Sequence, residues 1–251
     1  MKTGILYFNQ GWTDIVNCLP LVTYYSKRYS RVILPVREGA LEFVDYYCRS
    51  KNNIECVGFE KQSFESNFPE SINRILNEKS VKEIDFLFHG CSDIYRNDDK
   101  RCKFMTSENL HFVSSFYQDY GIPFEQRIEN FDLVRDFNIE HEFFESFAQK
   151  YGNKYVLVHD SLETPIDVCG VRLGEIASNP FICSKVLQNA QEIHLIDSFW
   201  ASVCYHLDMK FSLLQNTKVS IYPFKSRGGS LFDKTKGISE PIMPAKWKVV
   251  E

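Results

Sequence analysis

Apolar residues in this chain come in short runs, separated by stretches in which they recur every three or four positions. In the first half, the runs at 4–8, 31–36, 54–59 and 85–88 read as short strands, mostly apolar on both faces, as parallel strands covered on two sides must be. Between and after them, 14–29, 40–49, 69–77 and 108–120 carry the spacing of amphipathic helices. This βαβαβ order predicts a parallel sheet with right-handed crossovers.

Gly121-Ile122-Pro123 should end the last of these helices, and a charged stretch over 125–142 follows. The rhythm then restarts: helix 140–151, strand 155–159, helix 180–190, strand 193–196, helix 199–207, strand 210–214. The remainder, 215–251, carries Gly228-Gly229, Pro241 and Pro244 and is expected to be an irregular, basic tail. The expectation is therefore an α/β protein of two Rossmann-like domains, 1–125 and 135–251, with parallel sheets facing a central cleft. Ligands in open α/β sheets bind just beyond the carboxyl ends of the strands, so the chemistry is expected there.

With 251 residues and 44% apolar content the chain can bury one large core or two small ones. No run of about 18 apolar residues occurs, and the first residues turn polar too soon for a secretory signal, so a cytoplasmic protein without a transmembrane segment is expected. The eight cysteines are scattered with no Cys-x-x-Cys pair, which favours buried free thiols over a zinc site. A net charge of −4 gives no general attraction to nucleic acid. The charge is uneven, however: 205–251 holds eight Lys or Arg against four Asp or Glu. That stretch suits a small polyanion such as a nucleotide diphosphate, and equally suits a solvated basic face.

Several turns carry candidate chemistry. Phe8-Asn9-Gln10-Gly11-Trp12-Thr13-Asp14 joins the first strand to the first helix; Gly11 permits a tight turn, and Thr13 or Asp14 can cap the helix. It is neither a Walker loop nor a dinucleotide fingerprint. In the second half, Ile196-Asp197-Ser198-Phe199-Trp200 makes a strand, a polar turn and a helix start, where amides and the helix dipole favour phosphate oxygens; Ser198 is equally a good N-cap. His159-Asp160-Ser161 closes the first strand of that half. Arg172 in a loop and Arg227 beside Gly228 can each fork onto phosphate. His89 ends the fourth strand of the first half, where it either positions an acceptor or is a satisfied strand-end histidine. Trp12 and Trp200, in turns at strand ends, can stack on a base or sugar.

The order Gly11, Asp14, Ile15, Val16, Pro20 resembles the first turn of the heptosyltransferase-like glycosyltransferases, glycosyltransferase family 9, and wider GT-B enzymes. In that family the Asp directly follows glycine; here Trp12 and Thr13 intervene. The resemblance implies a GT-B-like fold and Asp14 as the catalytic base toward an acceptor hydroxyl. Gly11, Trp12, Thr13 and His89 would lie on the acceptor side. His159, Ser161, Arg172, Asp197, Ser198, Ser202 and Arg227 would lie around a nucleotide-sugar donor. It further implies an inverting transfer to a glycan or glycoconjugate acceptor without cofactor. No Asp-x-Asp motif occurs, so metal independence is expected. The rival expectations are a nucleotide-sugar epimerase or hydrolase on the same fold, and a non-catalytic binding module.

Overall fold

The computed structural model describes residues 2–8, 11–60, 74, 77, 84–89, 112–118, 120–223 and 243–250. The chain divides into two compact units, Met1–Met105 with Phe116–Leu133 and Thr106–Ser115 with Val134–Glu251. The step from one to the other at 133/134 falls inside the charged stretch.

In the first unit, β1 (Thr3–Phe8), β2 (Arg31–Arg37), β3 (Ile54–Phe59) and β4 (Ile84–His89) form a parallel sheet in the order β3-β2-β1-β4. Every residue of β1 is buried, as a central strand covered on both faces requires. Helices α1 (Trp12–Ser26) and α2 (Glu38–Cys48) make the crossovers. Of the predicted helix at 108–120 the described residues are α3 (Phe112–Gln118) and Tyr120, which is in a turn, and a short α4 (Gln126–Glu129) follows. The predicted helix at 69–77 lies outside the described residues, save positions 74 and 77, which are helical.

Helix α1 runs unbroken through Pro20. A proline there offers no N–H to the carbonyl of Val16 and crowds that turn. One residue on, the carbonyl of Asn17 accepts a bond from Tyr117 Oη at 2.7 Å, so a side chain supplies support where the helical ladder is interrupted. A second buried phenol holds this unit together. Tyr47 Oη donates to Asn130 O, accepts from the amide of Asp132, and meets Thr23 Oγ1. One donor and two acceptor positions are a phenol's full capacity, and burial pushes its pKa well above the ordinary range.

The second unit carries β5 (Val156–His159), β6 (Val171–Arg172), β7 (Glu192–Ile196), β8 (Lys218–Tyr222) and β9 (Lys248–Val249), all parallel, in the order β6-β5-β7-β8-β9. Helix α5 (Phe137–Tyr151) begins three residues earlier than expected, because Asp136 caps the amides of Asn138 and Ile139 and buried Glu140 is gripped twice by Arg135. The stretch predicted as one helix over 180–190 splits into a 3-10 turn, Pro180–Cys183, and α6 (Ser184–Asn189).

Two expectations for the C-terminal part are corrected. Residues 210–214 are not a strand: α7 (Phe199–Phe211) continues to Phe211 and ends at Ser212 in the left-handed conformation (φ 53°). Nor is everything after 215 irregular, since it contributes β8 and β9. Asp208, buried near the end of α7, binds this segment: it accepts from the amide of Leu214 (2.9 Å), Lys246 Nζ (2.9 Å) and Trp247 Nε1 (3.2 Å). Of the described cysteines, Cys18, Cys48, Cys183 and Cys204 are buried, Cys56 is partly so and Cys169 is exposed.

Asp208→Ala should lower stability by about 2–3 kcal/mol, because it strands a lysine and two N–H donors around one site. Urea denaturation measures this; a loss under about 0.5 kcal/mol would show the clamp to be idle.

Candidate functional site

The first-unit turn is built around Gly11, which stands at the N-cap of α1 with φ −65° and ψ 140° and makes no side-chain cap bond. Any residue adopts that conformation, so the expected reason for glycine, a tight turn, is not the operative one. Space is: a Cβ on Gly11 would lie 2.6 Å from Asp14 Oδ2. The carboxylate of Asp14, in the first turn of α1 and buried, folds back over the helix entrance into space that a Cβ on Gly11 would contest. Asp14 is thus not the N-cap. Its negative charge sits at the positive end of the helix dipole.

The other residues assigned to the acceptor side behave differently. Thr13 uses its carbonyl to accept from Asn17 Nδ2. Trp12 stacks on Phe43 of α2 with ring centroids 5.7 Å apart, and the Arg37 guanidinium lies 5.3 Å from its ring. His89 is fully buried. Its Nδ1 must donate, because its partner is the carbonyl of Phe116; Nε2 then accepts from Tyr25 Oη at 3.0 Å. With both nitrogens held inside the unit, neither is left for an acceptor, and His89 takes the role of a satisfied strand-end histidine. Burial pushes its pKa down to about 4, against the bond to Phe116, so the ring is neutral at neutral pH.

In the second unit, β6, β5 and β7 are neighbours, and their carboxyl ends bring Arg172, His159 with Asp160, and Asp197 with Ser198 onto one edge of the sheet. Ser198 stands at the N-cap of α7 in extended conformation, yet its hydroxyl makes no cap bond. It meets His159 Nδ1 at 3.0 Å. Burial lowers the pKa of His159 to about 4, with Asp160 opposing the shift, so this imidazole too is neutral. Asp197 is buried, and its amide donates to Tyr222 O. Ser161 shapes the adjoining turn, where its Oγ accepts from the amide of Thr164.

Two residues given ligand roles from sequence are interior instead. Ser202, one turn into α7, is fully buried, and Trp200 packs edge-on against Phe199 at 3% exposure. Helix α7 is buried from Trp200 through Asp208, so both positions are interior. Arg227 lies outside the described residues. Arg172, expected in a loop, is on β6, with Nη2 3.4 Å from Asp160 Oδ2. Nothing in the sequence sets Asp160 apart from its neighbours His159 and Ser161. Its position directly after a strand end was the available signal, but its partner comes twelve residues later on a strand too short to show a period. Among the described residues, no group of three or more His, Cys, Asp or Glu could hold a metal, and no helix is long and apolar enough to cross a membrane.

No family profile and no curated protein sequence matches the chain. Solved structures do. A family 9 glycosyl transferase from Veillonella parvula aligns over 100% of this chain and 86% of its own, with a TM-score of 0.59 at 9% identity. The chain has the fold of that family. The E. coli heptosyltransferase WaaC with ADP aligns over 99% of this chain and 92% of its own, with a TM-score of 0.50 at 11% identity. At these identities the likeness is one of backbone architecture, and the two parallel sheets agree with it.

The buried neutral His89 has a pH consequence whose sign is definite. The unfolded ring takes up a proton near pH 6.5 and the folded one only near pH 4. Its contribution is therefore present above about pH 6.5 and lost as pH falls toward 4, on the order of 3 kcal/mol in all. Urea denaturation of His89→Gln across that range should show a shallower fall in stability than the parent; an unchanged slope would contradict the assignment.

Proposed function

We propose that this protein is a glycosyltransferase, moving a sugar from a nucleotide-diphosphate sugar to a hydroxyl of a glycan or other acceptor. The observation that carries the reading is the pairing of His159 with Ser198. It turns the hydroxyl of the N-cap residue away from capping, at the carboxyl edge of a parallel sheet, where α7 presents its first-turn amides and its positive dipole end. Such an edge suits phosphate oxygens. The shared fold with family 9 structures supports the same reading.

In the proposed reaction Asp14 takes the proton from the acceptor hydroxyl as that oxygen attacks the anomeric carbon. The bond from that carbon to the nucleoside diphosphate breaks, and the electron pair leaves with the diphosphate. The entrance of α7 and Arg172 stabilise the charge that develops there. Attack opposite the leaving group inverts the anomeric centre. With amides and a guanidinium in this role, no metal is required.

Asp14→Asn is expected to lower turnover about 100- to 10,000-fold while leaving the donor dissociation constant nearly unchanged. Gly11→Ala, which forces the carboxylate aside, should lower turnover about a hundredfold without touching the base itself. Equal loss of donor affinity in Asp14→Asn would make that residue structural. The assay pairs a panel of nucleotide-sugars with glycan acceptors and analyses the products: donor consumed without an acceptor product would identify a hydrolase or epimerase instead. Activity lost to a chelator and restored by manganese would overturn the metal-free mechanism.

A further inference from the structure

Asp160 follows the last residue of β5, and its Oδ2 has two partners, Arg172 Nη2 at 3.4 Å and the amide of Ile166 at 3.4 Å. Ile166 is fixed in an apolar cluster with Val158 and Ile196, so this carboxylate is tied to the core beneath the sheet edge. Arg172 is aligned with Val158 of β5 in parallel register. Their approach depends on Gly170. A Cβ there would lie 2.7 Å from Val156 O and 2.8 Å from Val158 Cγ2, the first of them a backbone atom that cannot yield without moving β5. Arg172 Nη1 is buried and has no hydrogen-bond partner among the described residues, although the side chain as a whole is 37% exposed.

A guanidinium offers five N–H donors in a rigid planar fork, so fixing one edge fixes the direction of the rest. A carboxylate beside an anion site is unfavourable by simple Coulomb repulsion, and its place here calls for a compensating role. We propose that Asp160 and Gly170 are positioning residues for phosphate recognition. Asp160 holds one edge of the Arg172 fork, and Gly170 brings β6 close enough for that fork to stand beside His159 and Ser198, where it meets a phosphate of the donor. The inference rests on reading this edge as the donor's phosphate site.

The test is calorimetric titration of the full chain with ADP and with UDP. Arg172→Gln should weaken the nucleotide that binds by about tenfold or more, the loss of a charge-assisted bond. Asp160→Asn removes a negative charge near an anion, so electrostatics alone predicts tighter binding. Positioning predicts the opposite, a loss of about three- to tenfold. In the Arg172→Gln background the same Asp160→Asn change should no longer weaken binding and should tighten it. Gly170→Ala, with no change of charge, should reproduce the loss; should it fail to fold, the Asp160 and Arg172 cycle still decides. Asp160→Asn binding as tightly as the parent, or more tightly, overturns the positioning role alone. A parent protein that binds neither ADP nor UDP at millimolar concentration overturns the reading of the site and this inference with it.

Discussion

A parallel strand covered on both faces can place polar side chains usefully only at its ends, and that constraint arranges everything else in this molecule. The interiors of β1, β5 and β7 are almost wholly apolar and buried. The chain's chemistry is accordingly displaced to the carboxyl ends: Asp14 after β1, His159 and Asp160 after β5, Arg172 at the end of β6, Asp197 and Ser198 after β7. In the second unit these groups come together because the strands are adjacent in the sheet, although 159 and 198 lie far apart in the chain.

Three side chains that enter the interior are each held by several hydrogen bonds. Tyr47 fills all three hydrogen-bonding positions of its hydroxyl, His89 both ring nitrogens, and Asp208 gathers three donors. Each joins segments remote in sequence, and an unmet buried polar atom costs more than a met one returns. These groups stabilise a particular arrangement of segments. The edge near Arg172 keeps a buried guanidinium nitrogen without a hydrogen-bond partner among the described residues.

Local pattern was enough to find most strands, because burial on both faces writes an unbroken apolar run. The run at 4–8 lies within β1, which is buried along its whole length. Pattern failed at 210–214, where Phe211, Leu213 and Leu214 look like a strand. The helix continues to Phe211, and the two leucines are buried in the turn that follows. Of the site, strand-end positions were legible, and the outcome at each was not. His89 and His159 both end strands, yet one is sealed by Tyr25 and Phe116 and the other reaches Ser198. That difference comes from which distant element packs alongside, and no local window contains it. The pair of Asp160 and Arg172 was hidden for the same reason: β6 is two residues long, and Gly170 reveals its purpose only through the atoms of β5.

Helix α7 begins at the N-cap serine of the proposed donor site and, near its other end, carries the aspartate that anchors Lys246 and Trp247. Thirteen residues of α-helix make a rod about 20 Å long. A force applied beyond Trp247 would meet the pairing of β9 with β8 first, and only then the Asp208 clamp at the end of this shaft. A purification handle or surface tether attached on that side would therefore load the sheet before the helix that leads to the proposed donor edge.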